Sequence, residues 1–338
     1  MRVGFNPNKD KTLPKSDYTH QVIVPVYIPH QEDYFRDSFQ ILQFCLESLI
    51  TTSHSKTYIT VVNNGSCAEV ILYLNQLHQD GKIQEVIHTT AIGKLNAILK
   101  GLTGHQFPLI TITDADVLFL NHWQKATYEV FEAFPKAGAV SPVPNPKMCR
   151  YLTSNVILEN LFTNKIKFAD VKNSDALIEF AKSVGNHNMF DEIHLKKCLI
   201  IENKKVKSVI GAGHFVATYR GEVFEKIKDR FTSHMMGFGE GYYLDNPVVE
   251  MGFWRLSTEN NFAFHMGNTL EAWMSDKLIE LKREDHVFDR LKNEKHKINK
   301  TYYWLNNFLF SKIIYRPFFW ELFLLNKGIA RNDVKKYK

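Results

Sequence analysis

Leu109-Ile110-Thr111-Ile112-Thr113-Asp114-Ala115-Asp116 is the stretch on which the fold turns. Its first five residues are aliphatic or β-branched, the composition of a strand buried on both faces, and the run stops on two carboxylates. Side chains along extended chain repeat every second residue, so Asp114 and Asp116 leave the strand end on one side and both can face one ion. Hard divalent cations such as Mg2+ and Mn2+ take one or two carboxylates and complete their shell with phosphate oxygens. An isolated D-x-D is as readily the start of a turn, so the surrounding chain decides between a metal site and a turn.

Upstream, residues 21–26 read as a buried strand and residues 35–49 carry apolar side chains at helical spacing. A second strand over residues 58–62 stops at Asn63-Asn64-Gly65-Ser66. Helix over 69–77, strand over 85–88 and helix over 94–102 then lead into the D-x-D strand. Downstream, helix is expected over 123–134, strand over 139–143, strand over 215–219 and helix over 222–228. Such alternation predicts an α/β fold, a mostly parallel sheet flanked by helices, with its ligand beyond the carboxyl ends of the strands. Residues 155–205 are mixed and polar; they read as an insertion that shapes the acceptor side.

The 338 residues are 44% hydrophobic and 23% charged, enough to bury a large core. Lys and Arg number 42 against 36 Asp and Glu, a net of +6. Much of the basic excess lies in residues 290–338, which points that end toward an anionic surface. No helix-turn-helix, zinc-finger or single-strand-binding pattern accompanies it, so nucleic acid is not the expected partner. Cys45, Cys67, Cys149 and Cys198 are scattered without C-x-x-C spacing, as in a reduced, cytoplasmic protein. Neither a signal peptide nor an apolar run of roughly 18 residues is present, so the expected location is cytoplasmic, with peripheral contact at the inner face of the membrane.

Four motifs occur in order: VIVPVY (22–27), VVNNGS (61–66), GKLNAILKGL (93–102) and LITITDAD (109–116). This order resembles the nucleotide-binding half of family 2 glycosyltransferases, whose fold is called GT-A. The resemblance covers residues 22–267. It implies a nucleotide-sugar donor, a UDP-sugar first among them, gripped through Mn2+ or Mg2+ by Asp114 and Asp116, with Ala115 between them. It places Pro25, Tyr27, Asn63 and Asn64 at the nucleoside, Asn63 standing where many relatives carry Asp. Lys94, at the head of a helix, is the matching phosphate contact; by itself it is equally a solvated helix-start lysine.

Gly237-Phe238-Gly239-Glu240-Gly241-Tyr242-Tyr243-Leu244-Asp245 resembles the family's Glu-Asp segment, where a carboxylate is the base that deprotonates the acceptor hydroxyl. Glu240 falls on the family's Glu, but Gly241 stands in place of its usual Asp, which leaves Glu240 as first candidate base and Asp245 as second. A salt-bridge or cap role for Glu240 is the plain alternative. Gly211-Ala212-Gly213-His214 resembles the small-residue loop below the acceptor, with Gly213 and His214 as contacts. His265, in apolar Phe262-Ala263-Phe264-His265-Met266, reads either as a core histidine or as the late metal ligand of GT-A enzymes.

Residues 1–270 are expected to form the GT-A domain, with a nucleotide-sugar half over about 20–120 and an acceptor half over 121–270; residues 271–338 form a helical extension. Aromatic residues over 301–325 alternate with Lys312 and Arg316, a composition that suits a membrane interface or a helix pair docked on the catalytic domain or on a second copy. The expected activity is inverting transfer of a sugar to a glycan or lipid-linked acceptor. A sugar-phosphate nucleotidyltransferase would need a glycine-rich loop after the first strand, and VPVYIPHQ (24–31) is not one. A non-catalytic glycan-binding scaffold draws on Gly241, but has no use for a diphosphate metal site.

Overall fold

The computed structural model describes residues 4–12, 16–225, 227, 231–235, 239–284 and 300–337. From the N-terminus, β1 (His20–Val26), α1 (Ser38–Thr52), β2 (Thr57–Asn64), α2 (Ala68–Gln79), β3 (Glu85–Thr89), α3 (Lys94–Gly101) and β4 (Leu109–Thr113) follow the expected alternation. β5 (Val117–Phe119), α4 (Trp123–Ala133) and β6 (Ala137–Ser141) come next. Then follow α5 (Ser154–Asn160), β7 (Ile166–Asp170), α6 (Ser174–Ser183), α7 (Glu192–Lys196), β8 (Lys197–Asn203), β9 (Val206–Ile210) and β10 (Val216–Arg220). α8 (Asn246–Glu250), β11 (Trp254–Thr258), β12 (Ala263–His265) and α9 (Ala272–Glu280) lead to the C-terminal helices.

One ten-stranded sheet runs in the order β3-β2-β1-β4-β10-β6-β11-β9-β8-β7. Its first four strands are parallel, as the βα alternation requires, and β11 is parallel to β6. β10 enters antiparallel between β4 and β6, and β7, β8 and β9 close the far edge antiparallel. Both faces of the parallel half are covered. Val22, Val24 and Val26 of β1 pack with Ile41, Leu42 and Leu46 of α1, while Ile23 points the other way into a core with Leu95 and Ile98 of α3.

The segment 155–205 is therefore not only an insertion: it supplies the strands β7 and β8 of the central sheet. Their alternation is masked in sequence by cross-strand ion pairs, Lys167 with Glu202 and Lys197 with Asp170, which place charges on a strand pair at the sheet edge. The helix expected over 222–228 is a 3-10 turn, Gly221–Val223, among the described residues of that stretch.

The C-terminal run consists of α10 (Lys300–Trp304), a π-helical stretch Leu305–Phe310, α11 (Ser311–Ile314) and α12 (Pro317–Asn326). Ile314, Trp320, Phe323, Leu324, Ile329, Val334 and Tyr337 enter the same core as Leu199, Ile201 and Leu256 of the sheet. Trp304, Phe308 and Phe318 stay exposed, so the aromatic residues divide between core and surface. No helix among the described residues is long and apolar enough to cross a membrane.

Candidate active site

The D-x-D leaves the carboxyl end of β4, where the Asp114 N–H donates to the Phe215 carbonyl at 2.8 Å. β5 pairs antiparallel with β12, His265 opposite Val117, and the Met266 N–H donates to the Asp116 carbonyl at 2.7 Å. This small second sheet carries His265 to the D-x-D: its Nε2 lies 3.4 Å from Asp116 Oδ2, and its Nδ1 lies 3.0 Å from Ser183 Oγ. One ligand atom from each of Asp114, Asp116 and His265 falls within 4.8 Å of the others. Asp116 Oδ1 is buried without a hydrogen-bond partner. Burial pushes the Asp116 carboxyl up to about 6; His265 opposes the shift and the Asp114 charge adds to it. Two carboxylates and an imidazole, one oxygen lacking a donor, fit a divalent ion of the Mn2+ type.

Gly93 turns the chain into α3 with φ of +89°, a conformation that glycine adopts without strain. It sets Lys94 at the helix start, with Nζ 2.6 Å from Asp114 Oδ1 and 2.7 Å from Glu240 Oε1. Burial works against this ammonium, but the charges of Asp114 and Glu240 outweigh it and hold the lysine above its usual range. The solvated-lysine alternative does not describe it.

Glu240 stands at the start of a helical turn that widens into a π-helix, Gly241–Asp245, closed by the Asn246 N–H on the Gly241 carbonyl. Glu240 and Asp245 both face His214: Nε2 lies 2.9 Å from Glu240 Oε2 and Nδ1 3.4 Å from Asp245 Oδ2. These contacts, with Asp245 and then Glu240, raise His214 to about 9. The His214 hydrogen bond, together with Lys94, lowers Glu240 to about 2 against its partial burial. Gly237 and Phe238 of the same motif lie outside the described residues.

The remaining predicted residues sit as follows. Asn63 is buried with both amide atoms engaged, Oδ1 accepting from the Ser66 N–H at 2.9 Å and Nδ2 against His88 Nδ1 at 2.9 Å. Asn64 Oδ1 accepts from the Ile92 N–H at 2.8 Å. These bonds brace the loop after β2. Pro25 is buried inside β1, opposite Val62, whereas Tyr27 is exposed beside the Phe35 ring. Ala115 packs partly against the α1 core. A Cβ on Gly213 would meet the Phe215 ring in ordinary contact at 3.9 Å; at Gly211 a side chain is barred, with φ of +105° and the Met148 carbonyl 2.5 Å from where a Cβ would lie.

The glycosyl transferase family 2 profile matches residues 22–193, half of the chain. The chain belongs to this family. Its α/β architecture is the GT-A arrangement expected for family 2. The mannosyltransferase PcManGT from Pyrobaculum calidifontis, solved with GDP-Man and Mn2+, is 18% identical and aligns over 75% of this chain and 59% of its own length, at a TM-score of 0.40. S. aureus TarS 1–349 is 11% identical over 79% of this chain and 67% of its own, at 0.44. GalNAc-T7, solved with UDP, GalNAc and Mn2+, is 12% identical over 73% and 44%, at 0.47. No curated protein matches the sequence.

Against the family 2 pattern, two side chains at the site were not singled out from sequence. Arg255, fully buried in β11, donates to Asp245 Oδ1 at 2.7 Å and to the Ala212 carbonyl at 2.6 Å. Its signal was legible: a guanidinium inside the apolar strand Trp254-Arg255-Leu256 needs a buried carboxylate. Tyr151 lies under that guanidinium at 4.8 Å, and its hydroxyl lies 2.8 Å from where a Cβ on Gly241 would sit. Nothing local to the sequence marks Tyr151. Gly241 is thus bordered by the Tyr151 phenol.

Proposed function

We infer that this family 2 chain transfers a sugar from a nucleoside-diphosphate sugar, a UDP-sugar first among candidates, to a hydroxyl of a glycan or lipid-linked acceptor. The reaction is inverting and serves the building of a cell-surface polysaccharide or lipopolysaccharide. Carrying this reading is the junction of Lys94 with both Asp114 and Glu240: one ammonium joins the candidate metal residues to the candidate base.

Asp114, Asp116 and His265 would hold the metal, and Pro25, Tyr27, Asn63 and Asn64 line or brace the nucleoside loops. A divalent ion there, when bound, neutralises charge on the leaving diphosphate. In this reading Lys94 turns from its two carboxylates toward that diphosphate. Between two cations Glu240 is ionised but a feeble base; withdrawing Lys94 toward the donor removes one of them and exposes Oε1 to the acceptor hydroxyl's proton, while His214 keeps its hold on Oε2. His214 stays beside Glu240 and, with Gly213, borders the acceptor side. Asp245, locked by Arg255 and buried, acts through His214 rather than on the acceptor.

A binding-only reading draws on one observation, the replacement of the family's second acid by Gly241 beside Tyr151. A single screen separates the two: UDP-, GDP-, TDP- and CMP-sugars are tested with Mn2+ or Mg2+ for thermal stabilisation and for hydrolysis or transfer, in the parent and in Asp116→Ala and Glu240→Gln. Metal-dependent turnover lost in both variants supports transfer. Stabilisation without turnover supports the scaffold, and no binding of any donor overturns the transfer reading.

A further inference from the structure

Along the helical run from α10 to α11, the exposed residues Trp304, Leu305, Phe308, Leu309, Lys312 and Ile313 fall in pairs at intervals of four, so they line one face. The opposite side of the run is anchored inward by Asn306 and Ile314. Arg316 and Phe318, where the chain enters α12, are exposed as well, and the other side of that helix buries Trp320 and Phe323. Exposed rings and aliphatic side chains gathered on one helical face, rather than scattered singly, mark a docking site.

We propose that this face binds the surface of an anionic phospholipid bilayer, with the rings and leucines seated among the acyl boundary and Lys312 and Arg316 on the headgroup phosphates. Charge selects this occupant. Residues 300–326 contain three basic side chains and one acid, Glu321. A two-fold pairing of this face with a second copy would bring the same basic face against itself with little acid to answer it. Anionic headgroups supply the missing negative charge, and aromatic bodies with cationic neighbours are the composition of a helix lying in the interface. Burial of Trp320, Phe323 and Leu324 against the sheet core fixes the face to the folded domain, so the chain would bind through a rigid surface. This goes beyond the transfer reaction and stands independently of it.

Flotation of the full chain with vesicles of phosphatidylcholine alone, or mixed with phosphatidylglycerol, tests it. The parent floats with the mixed vesicles and stays behind with the neutral ones, and high salt weakens binding. Lys312→Gln combined with Arg316→Gln lowers affinity about thirtyfold, at roughly 1 kcal/mol per basic residue. Trp304→Ser with Phe308→Ser and Phe318→Ser abolishes flotation while the melting temperature holds; should that variant fold poorly, the charge pair carries the test. A parent that ignores mixed vesicles, equal binding to both vesicle types, or variants that float like the parent would overturn the proposal. So would a dimer by light scattering that the ring variant converts to monomer.

Discussion

The guanidinium of Arg255 holds the carboxylate of Asp245 at 2.7 Å in a position where both side chains are almost wholly shut from water. A charge so placed is tolerable only while its partner remains. Arg255→Met should therefore destabilise the fold by about 3–5 kcal/mol, because the buried Asp245 loses its guanidinium and keeps His214, at 3.4 Å, as its remaining cation. The double variant Arg255→Met with Asp245→Asn should recover much of that loss. Urea unfolding of the two singles and the double measures it; equal loss in single and double would refute the pairing.

Glu240 and His214 give stability a pH dependence with two limbs. Folding lowers Glu240 from 4.5 to about 2, so its contribution is complete above pH 4.5 and is lost as pH falls toward 2. Folding raises His214 from 6.5 to about 9, so its contribution is complete below pH 6.5 and is lost as pH rises through 9. Together they place the maximum between about pH 4.5 and 6.5. In His214→Gln the alkaline fall in melting temperature between pH 6.5 and 9 should flatten. A slope unchanged from the parent would show that the ion pair contributes nothing.

The strands β1 to β4 and the helices between them were legible because each rests on local chemistry: β-branched runs make strands, and strand ends carry the polar residues. His265 was ambiguous for the opposite reason. Its place beside Asp116 comes from pairing of β12 with β5, a contact between residues almost 150 positions apart that no local pattern encodes. The strands at 166–170 and 197–203 were hidden by charged residues that pair only across the ladder. In the C-terminal run, composition showed rings and cations but not which rings face inward; the core chose Trp320 and Phe323 and left Phe318 outside.

Asp116 and His265 make a prediction about metal and donor together. With the responsive nucleotide-sugar at about one hundred times its Kd in Mn2+, ligand linkage should stabilise the parent by about 2.7 kcal/mol. Chelation should remove most of that gain. Asp116→Asn and His265→Ala should each lose the metal-dependent part while folding normally without ligand. A gain of equal size in His265→Ala and the parent would remove the histidine from the metal set.

Trp320 and Phe318 lie two residues apart on α12 and face opposite environments. Trp320 is 1% exposed, stacks on Phe323 at 5.3 Å and donates from Nε1 to the Tyr337 carbonyl at 3.4 Å, while Phe318 is 71% exposed. Truncating the buried ring removes its apolar burial and opens a cavity that the sheet side cannot fill, so Trp320→Ala should cost about 3–5 kcal/mol. Phe318→Ser touches no core contact and should change stability by less than about 0.5 kcal/mol. Urea unfolding of the full chain reads both. A small effect of Trp320→Ala would mean that the C-terminal helices fold apart from the sheet. A large effect of Phe318→Ser would place that ring in a contact within the fold and take it out of the surface offered to lipid.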